Sequence, residues 1–114
     1  MAVITESERR RILDIVSAVE SNDWMRFKFL SDRPFPNEES MFEQFENSRK
    51  KVAPGFGDWE KLAGADVLDD GTRLIMVRIQ PRPGSDQEVL LTLHNISDRI
   101  SVWVFAEQID WSKE

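Results

Sequence analysis

Pro54-Gly55-Phe56-Gly57 divides this chain into two kinds of periodicity. Before it, apolar residues recur at helical spacing. After it, they run in strand-like blocks separated by turns. Helices first and a strand meander second predict an α+β domain, with about three N-terminal helices packed on a curved four-stranded antiparallel sheet. Gly55 and Gly57 supply the backbone freedom to leave the last helix.

Upstream of the break, Thr5-Glu6-Ser7-Glu8 fits a capping box. Ile12, Ile15, Val16 and Val19 follow as one stripe on a helix of about four turns. Ser21-Asn22-Asp23 ends it and caps a second helix bearing Trp24, Phe27 and Leu30. Pro34 and Pro36 keep that helix short. Asn37 caps a third, in which Met41, Phe42, Phe45 and Val52 share a face.

Downstream, Trp59 to Leu68 reads as the first strand, Leu74 to Gln80 as the second, Glu88 to His94 as the third and Ile100 to Ala106 as the fourth. A two-residue Asp70-Gly71 turn sets Asp66 opposite Ile75 and Gly64 opposite Val77. A four-residue turn after Asn95 sets Leu93 opposite Val102 and Leu91 opposite Val104. One face then collects Ile75, Val77, Ile79, Val89, Leu91, Leu93, Val102 and Val104, and should pack on the helices. At roughly 1.5–3 kcal/mol per buried side chain, that face holds the helices down. The other face collects Leu74, Met76, Arg78, Leu90, Thr92, His94, Trp103 and Phe105. It is more apolar than a solvated sheet face, which marks it for contact with a partner or with the tail through Trp111. The loop between the second and third strands does not fix their register, so the reverse assignment, with Trp103 and Phe105 in the core, stays open.

At 114 residues the sequence reads as one domain, residues 1–114, able to bury a core without disulfides. It has no cysteine, which excludes thiol nucleophiles and thiolate metal sites. One histidine and no calcium-loop spacing speak against metal binding; no cofactor motif is present either. Fifteen basic against 21 acidic side chains give a charge of −6, which disfavours nucleic acid as a partner. The basic clusters Arg9-Arg10-Arg11 and Arg49-Lys50-Lys51 read as solvated helix surface. Met1-Ala2-Val3-Ile4-Thr5-Glu6 does not resemble a secretory signal, and no apolar run approaches the roughly 20 residues of a membrane span. The expectation is a cytoplasmic protein that does not meet a membrane.

Two residues carry candidate acid–base chemistry. His94 lies at a strand end near Thr92. Asp66 falls within a strand, where a carboxylate projecting into an apolar cavity would serve as a base. Neither has a visible nucleophile or orienting partner. Among four tryptophans, Trp24 and Trp59 read as core anchors, and Trp103 and Trp111 as interface residues.

The step Val19-Glu20-Ser21-Asn22-Asp23-Trp24, the passage Phe56-Gly57-Asp58-Trp59 and the turn Asp98-Arg99-Ile100 resemble the nuclear transport factor 2-like, or cystatin-like, α+β cone superfamily. That resemblance spans nearly the whole chain. It implies dimers formed by packing sheet faces, and in some members a pocket between helices and sheet.

The first functional expectation is therefore a non-enzymatic domain that forms a homodimer or binds a protein partner through Met76, Arg78, Thr92, His94, Trp103, Phe105 and Trp111. The alternatives are a binder of a small apolar ligand or an isomerase/cyclase-like enzyme using Asp66 or His94, and an acidic immunity-type antagonist of a basic partner.

Overall fold

The computed structural model describes residues 2–84 and 87–107. Helices α1 (Glu6–Glu20), α2 (Trp24–Phe29) and α3 (Glu38–Arg49) precede strands β1 (Ala63–Val67), β2 (Arg73–Ile79), β3 (Val89–Ile96) and β4 (Arg99–Glu107). The strands form one open, curled antiparallel sheet in the order β1-β2-β3-β4. This is the α+β arrangement that the change of periodicity predicts.

The helices start where the caps demand. Thr5 Oγ1 accepts from the Glu8 amide at 3.1 Å, and Glu8 Oε1 accepts from the Thr5 amide at 2.9 Å. Asp23 and Asn37 cap α2 and α3 by accepting from Arg26 N–H at 3.0 Å and Ser40 N–H at 2.9 Å. Ile12, Ile15, Val16 and Val19 of α1 are buried, as are Phe27 of α2 and Met41 and Phe45 of α3. Phe42 lies on the rim instead, its ring edge-on to Trp24.

Beyond α3, a 3₁₀ turn at Pro54–Phe56 carries Gly55 at φ +63° and buries Phe56 completely. The first strand is shorter than expected. Trp59–Leu62 forms a second 3₁₀ turn, whose period of three puts buried Trp59 and half-buried Leu62 on one side.

Two pairing details differ from the expected ladder. The β1–β2 loop has three residues, Asp69-Asp70-Gly71, not two. Leu68 N–H donates to Thr72 O at 2.8 Å, Gly71 N–H donates to Leu68 O at 2.9 Å, and Gly71 sits at φ +82°. This moves the register by one residue, so Asp66 faces Leu74 and Gly64 faces Met76. In the β3–β4 hairpin, Leu93 faces Val102 as expected, although the turn is only Ser97-Asp98, with both residues at positive φ. A β-bulge then interrupts the ladder. Thr92 pairs with Val104 and Leu93 with Val102, leaving Trp103 as the extra residue. Beyond it the phase reverses: Leu91 faces Phe105, which is fully buried, while Val104 turns outward.

Phe105 therefore leaves the mixed face on which the uninterrupted ladder placed it. In the core its ring lies 5.7 Å from Phe27 and 6.1 Å from Phe56. Phe27, Phe45, Phe56 and Phe105 fill the space between helices and sheet, together with Ile75, Val77, Ile79, Val89, Leu91 and Leu93.

Candidate functional site

The antiparallel register arranges the outer sheet face in three rows. Asp66, Leu74, His94 and Ser101 form the first; Gly64, Met76, Thr92 and Val104 the second; Arg78, Leu90 and Ala106 the third. The bulge lets Trp103 emerge between the first two, half exposed at 50%. Thr92 is buried among its neighbours, and Leu74, Met76, Leu90 and His94 are half-buried. Among the described residues, the helices all pack on the opposite face, against Ile75, Val77, Leu91 and Leu93.

His94 anchors one end of this face. Its ring lies 4.3 Å from the Trp103 ring, with 37° between the planes. Nε2 is 2.9 Å from Thr72 Oγ1, and that hydroxyl donates to Asp70 Oδ1 at 2.7 Å. Because the hydroxyl proton is spent on Asp70, Thr72 Oγ1 accepts from His94 Nε2–H. The Thr72 hydroxyl, then its amide N–H at 3.0 Å, holds the Asp70 carboxyl below its usual range, with His94 adding to the effect. At the other end Arg78 and Glu88 form a bidentate pair at 3.0 and 2.7 Å.

Met76, Arg78, Thr92, His94 and Trp103 thus share the outer face. Trp111 falls outside the described residues. Asp66 is exposed on this same face, two positions along the row from His94, because the three-residue hairpin loop rotates it away from the helices. It does not project into an apolar cavity.

A second feature lies beside β4. A groove of about 580 Å³ runs between the Pro34-Phe35-Pro36 loop, the first half of α3 and Ser101 to Val104. The two prolines, legible only as a stop to α2, also bring Phe35 into the aromatic cluster, 6.0 Å from Trp24. On either side of the groove the free edge of β4 is bonded to the helical layer. Ile100 N–H donates to Asp32 Oδ2 at 2.6 Å, and Asp32 N–H donates to Ile100 O at 2.8 Å. Val102 N–H donates to Ser31 Oγ at 3.1 Å, Phe105 N–H to Gln44 Oε1 at 2.9 Å, and Ser48 Oγ–H to Phe105 O at 2.7 Å.

The strongest polar cluster lies inside. Glu8 is fully buried and accepts from Arg73 Nε at 2.8 Å, Arg73 Nη2 at 3.1 Å and Asn95 Nδ2 at 2.7 Å, besides the Thr5 amide. Burial pushes its carboxyl up, but the Arg73, Thr5 and Asn95 donors outweigh that and hold it below the usual value. Arg73 Nη2 also donates to Val3 O, and Asn95 Oδ1 accepts from Asp98 N–H. The cluster ties the start of α1 to the end of the sheet that carries the β1–β2 and β3–β4 turns, a structural role that local capping alone does not reveal.

Among the described residues, no group of three or more His, Asp or Glu side chains is placed to hold a metal ion, and no helix is long and apolar enough to cross a membrane. No protein-family model, curated protein or solved structure matches the chain.

Proposed function

We propose that this protein is a non-enzymatic association domain whose outer sheet face pairs with the same face of a second copy. The observation that carries the reading is Trp103. The bulge places it half exposed beside His94 and Val104, on a face that also carries Leu74, Met76 and Leu90 and that none of the described helices covers. Aromatic residues set in apolar surroundings dominate buried interface centres.

A second copy fits this surface better than a partner of one charge. A two-fold interface must be self-complementary. Arg78 and Glu88 sit side by side on the face, so a rotated copy offers each an opposite charge. The filled space behind the sheet and the outward position of Asp66 support association over isomerase-like chemistry. The order of elements also fits membership of the nuclear transport factor 2-like group, in which sheet faces commonly pair, and a cytoplasmic setting suits the cysteine-free composition.

Sedimentation equilibrium of the wild type and Trp103→Glu tests the reading. The expected result is a dimeric wild type and a monomeric variant with an unchanged far-UV spectrum. A monomeric wild type at high micromolar concentration, or an unaltered variant dimer, overturns it.

A further inference from the structure

The groove beside β4 shares Ser101, Trp103 and Val104 with the outer sheet face, but its opposite wall comes from the helical layer, and that wall carries no carboxylate. Asn37 Oδ1 is taken by the Ser40 amide and Gln44 Oε1 by the Phe105 amide, each at 2.9 Å. A backbone N–H can bond only to the oxygen of a side-chain amide, so these bonds fix each amide's orientation and leave its NH₂ group available to a ligand. The charged residue lining the groove is Arg33, and no aspartate or glutamate lines it. Arg33 takes part in none of the ion pairs among the described residues, although the chain carries a charge of −6. Neighbouring Asp32 is committed elsewhere, to Arg11 at 3.1 Å and to the Ile100 amide. The remaining walls are mostly apolar, chiefly Phe35, Trp103 and Val104.

From this donor-rich, acid-free lining we infer that the groove is a binding site for a small monocarboxylate with an aromatic or short alkyl body. Its volume of about 580 Å³ falls within the range of small-molecule sites. The carboxylate accepts from the Arg33 guanidinium and the free amide NH₂ groups, and the body lies along Phe35 and Trp103. Charge-assisted hydrogen bonds to a guanidinium are the strong ones available here. The carboxylate anchors Arg33, Asn37 and Gln44 belong to the helical layer, whereas Trp103 lies both on the groove wall and on the proposed dimer face, so the loss of acid binding in Arg33→Gln and the loss of assembly in Trp103→Glu are read separately.

The test is a titration of the full ¹⁵N-labelled chain with 3-phenylpropanoate and with its uncharged amide, followed by NMR. The acid should shift the Gln44 and Asn37 side-chain amide signals and the Trp103 indole N–H with one saturable curve. The amide should bind at least about tenfold more weakly, and Arg33→Gln should weaken the acid by a similar factor. Equal affinity for acid and amide, an Arg33→Gln variant that binds the acid as well as the wild type does, or shifts that never saturate would each overturn the site. So would a short peptide that binds through its terminal carboxylate where the free acid fails, since the groove would then recognise protein.

Discussion

Replacing Glu8 by glutamine separates two roles that the sequence superimposes on one residue. As the last residue of a capping box, Glu8 has only to accept from the Thr5 amide, and glutamine does that equally well. A purely local role therefore predicts almost no change. In the structure the same carboxylate also meets three donors, two from Arg73 and one from Asn95. The glutamine NH₂ would turn a donor toward donors and leave Arg73 without its counter-charge. Breaking a buried pair by removing one partner costs about 3–5 kcal/mol. Arg73 keeps 22% of its side chain exposed and a bond to Val3 O, so the lower end applies, about 3 kcal/mol. At about 2.1 cal/mol/K per residue, a chain of 114 residues loses about 0.24 kcal/mol of stability per degree near its midpoint. The Tm should therefore fall by about 12 °C, against about 4 °C for loss of the cap alone in Thr5→Ala. Thermal unfolding followed by far-UV circular dichroism measures both. A Glu8→Gln shift below about 3 °C would refute the buried-pair argument. A cycle adding Arg73→Leu checks it from the other side: Glu8→Leu with Arg73→Leu should recover much of the loss of either single variant, because no unpaired charge remains.

Two further outcomes follow. Because the Glu8 carboxyl titrates below its ordinary value of 4.5, its contribution is fully present above that value and is lost as pH falls through the folded-state pKa; the Tm gap between wild type and Glu8→Gln should be constant near neutrality and narrow below about pH 4.5. The Ser97-Asp98 turn holds two L-residues at φ +51° and +67°, each costing about 1 kcal/mol, so Ser97→Asn with Asp98→Gly should raise the Tm by about 4 °C or more, with no gain if the turn geometry is otherwise.

What the sequence made legible was whatever is settled within a turn or two of chain. The caps at Thr5, Asp23 and Asn37 and the termination of α2 by its prolines need only near neighbours. The aliphatic stripe of β2 and β3 was legible for the same reason, since alternation is local. Strand phase was not. Asp-Asp-Gly suits both a two-residue and a three-residue loop, because each uses glycine at positive φ, yet the choice decides whether Asp66 faces helices or solvent. The bulge at Trp103 left no local mark at all; it follows from the need to seat Phe105 against Phe27 and Phe56, contributed by α2 and the loop after α3. Glu8 was hidden for the opposite reason: its capping role accounted for it fully, and the donors that make it a buried counter-ion lie 65 and 87 residues away. The groove depends on α3, its preceding loop and β4 meeting, which no single segment encodes.

The state of the sheet edges bears on both proposals. An exposed edge strand invites another chain to add to the sheet. Here β4 is bonded along its outer side by Asp32, Ser31, Gln44 and Ser48. At the other edge, Ala2 pairs with Ala65 through bonds of 2.7 and 3.0 Å. Backbone groups that would template an added strand are thus engaged at Ile100, Val102 and Phe105 of one edge and at Ala65 of the other. A partner approaching the sheet meets side chains instead, and the phase reversal in β4 decides which ones. Before the bulge β4 turns Val102 inward; beyond it, Phe105 goes in and Val104 comes out, with Trp103 standing proud between them. The same irregularity that completes the aromatic core therefore builds the most apolar part of the outer face and one wall of the groove. That is the physical reason to look for face-to-face association and a small ligand in this protein in preference to strand addition.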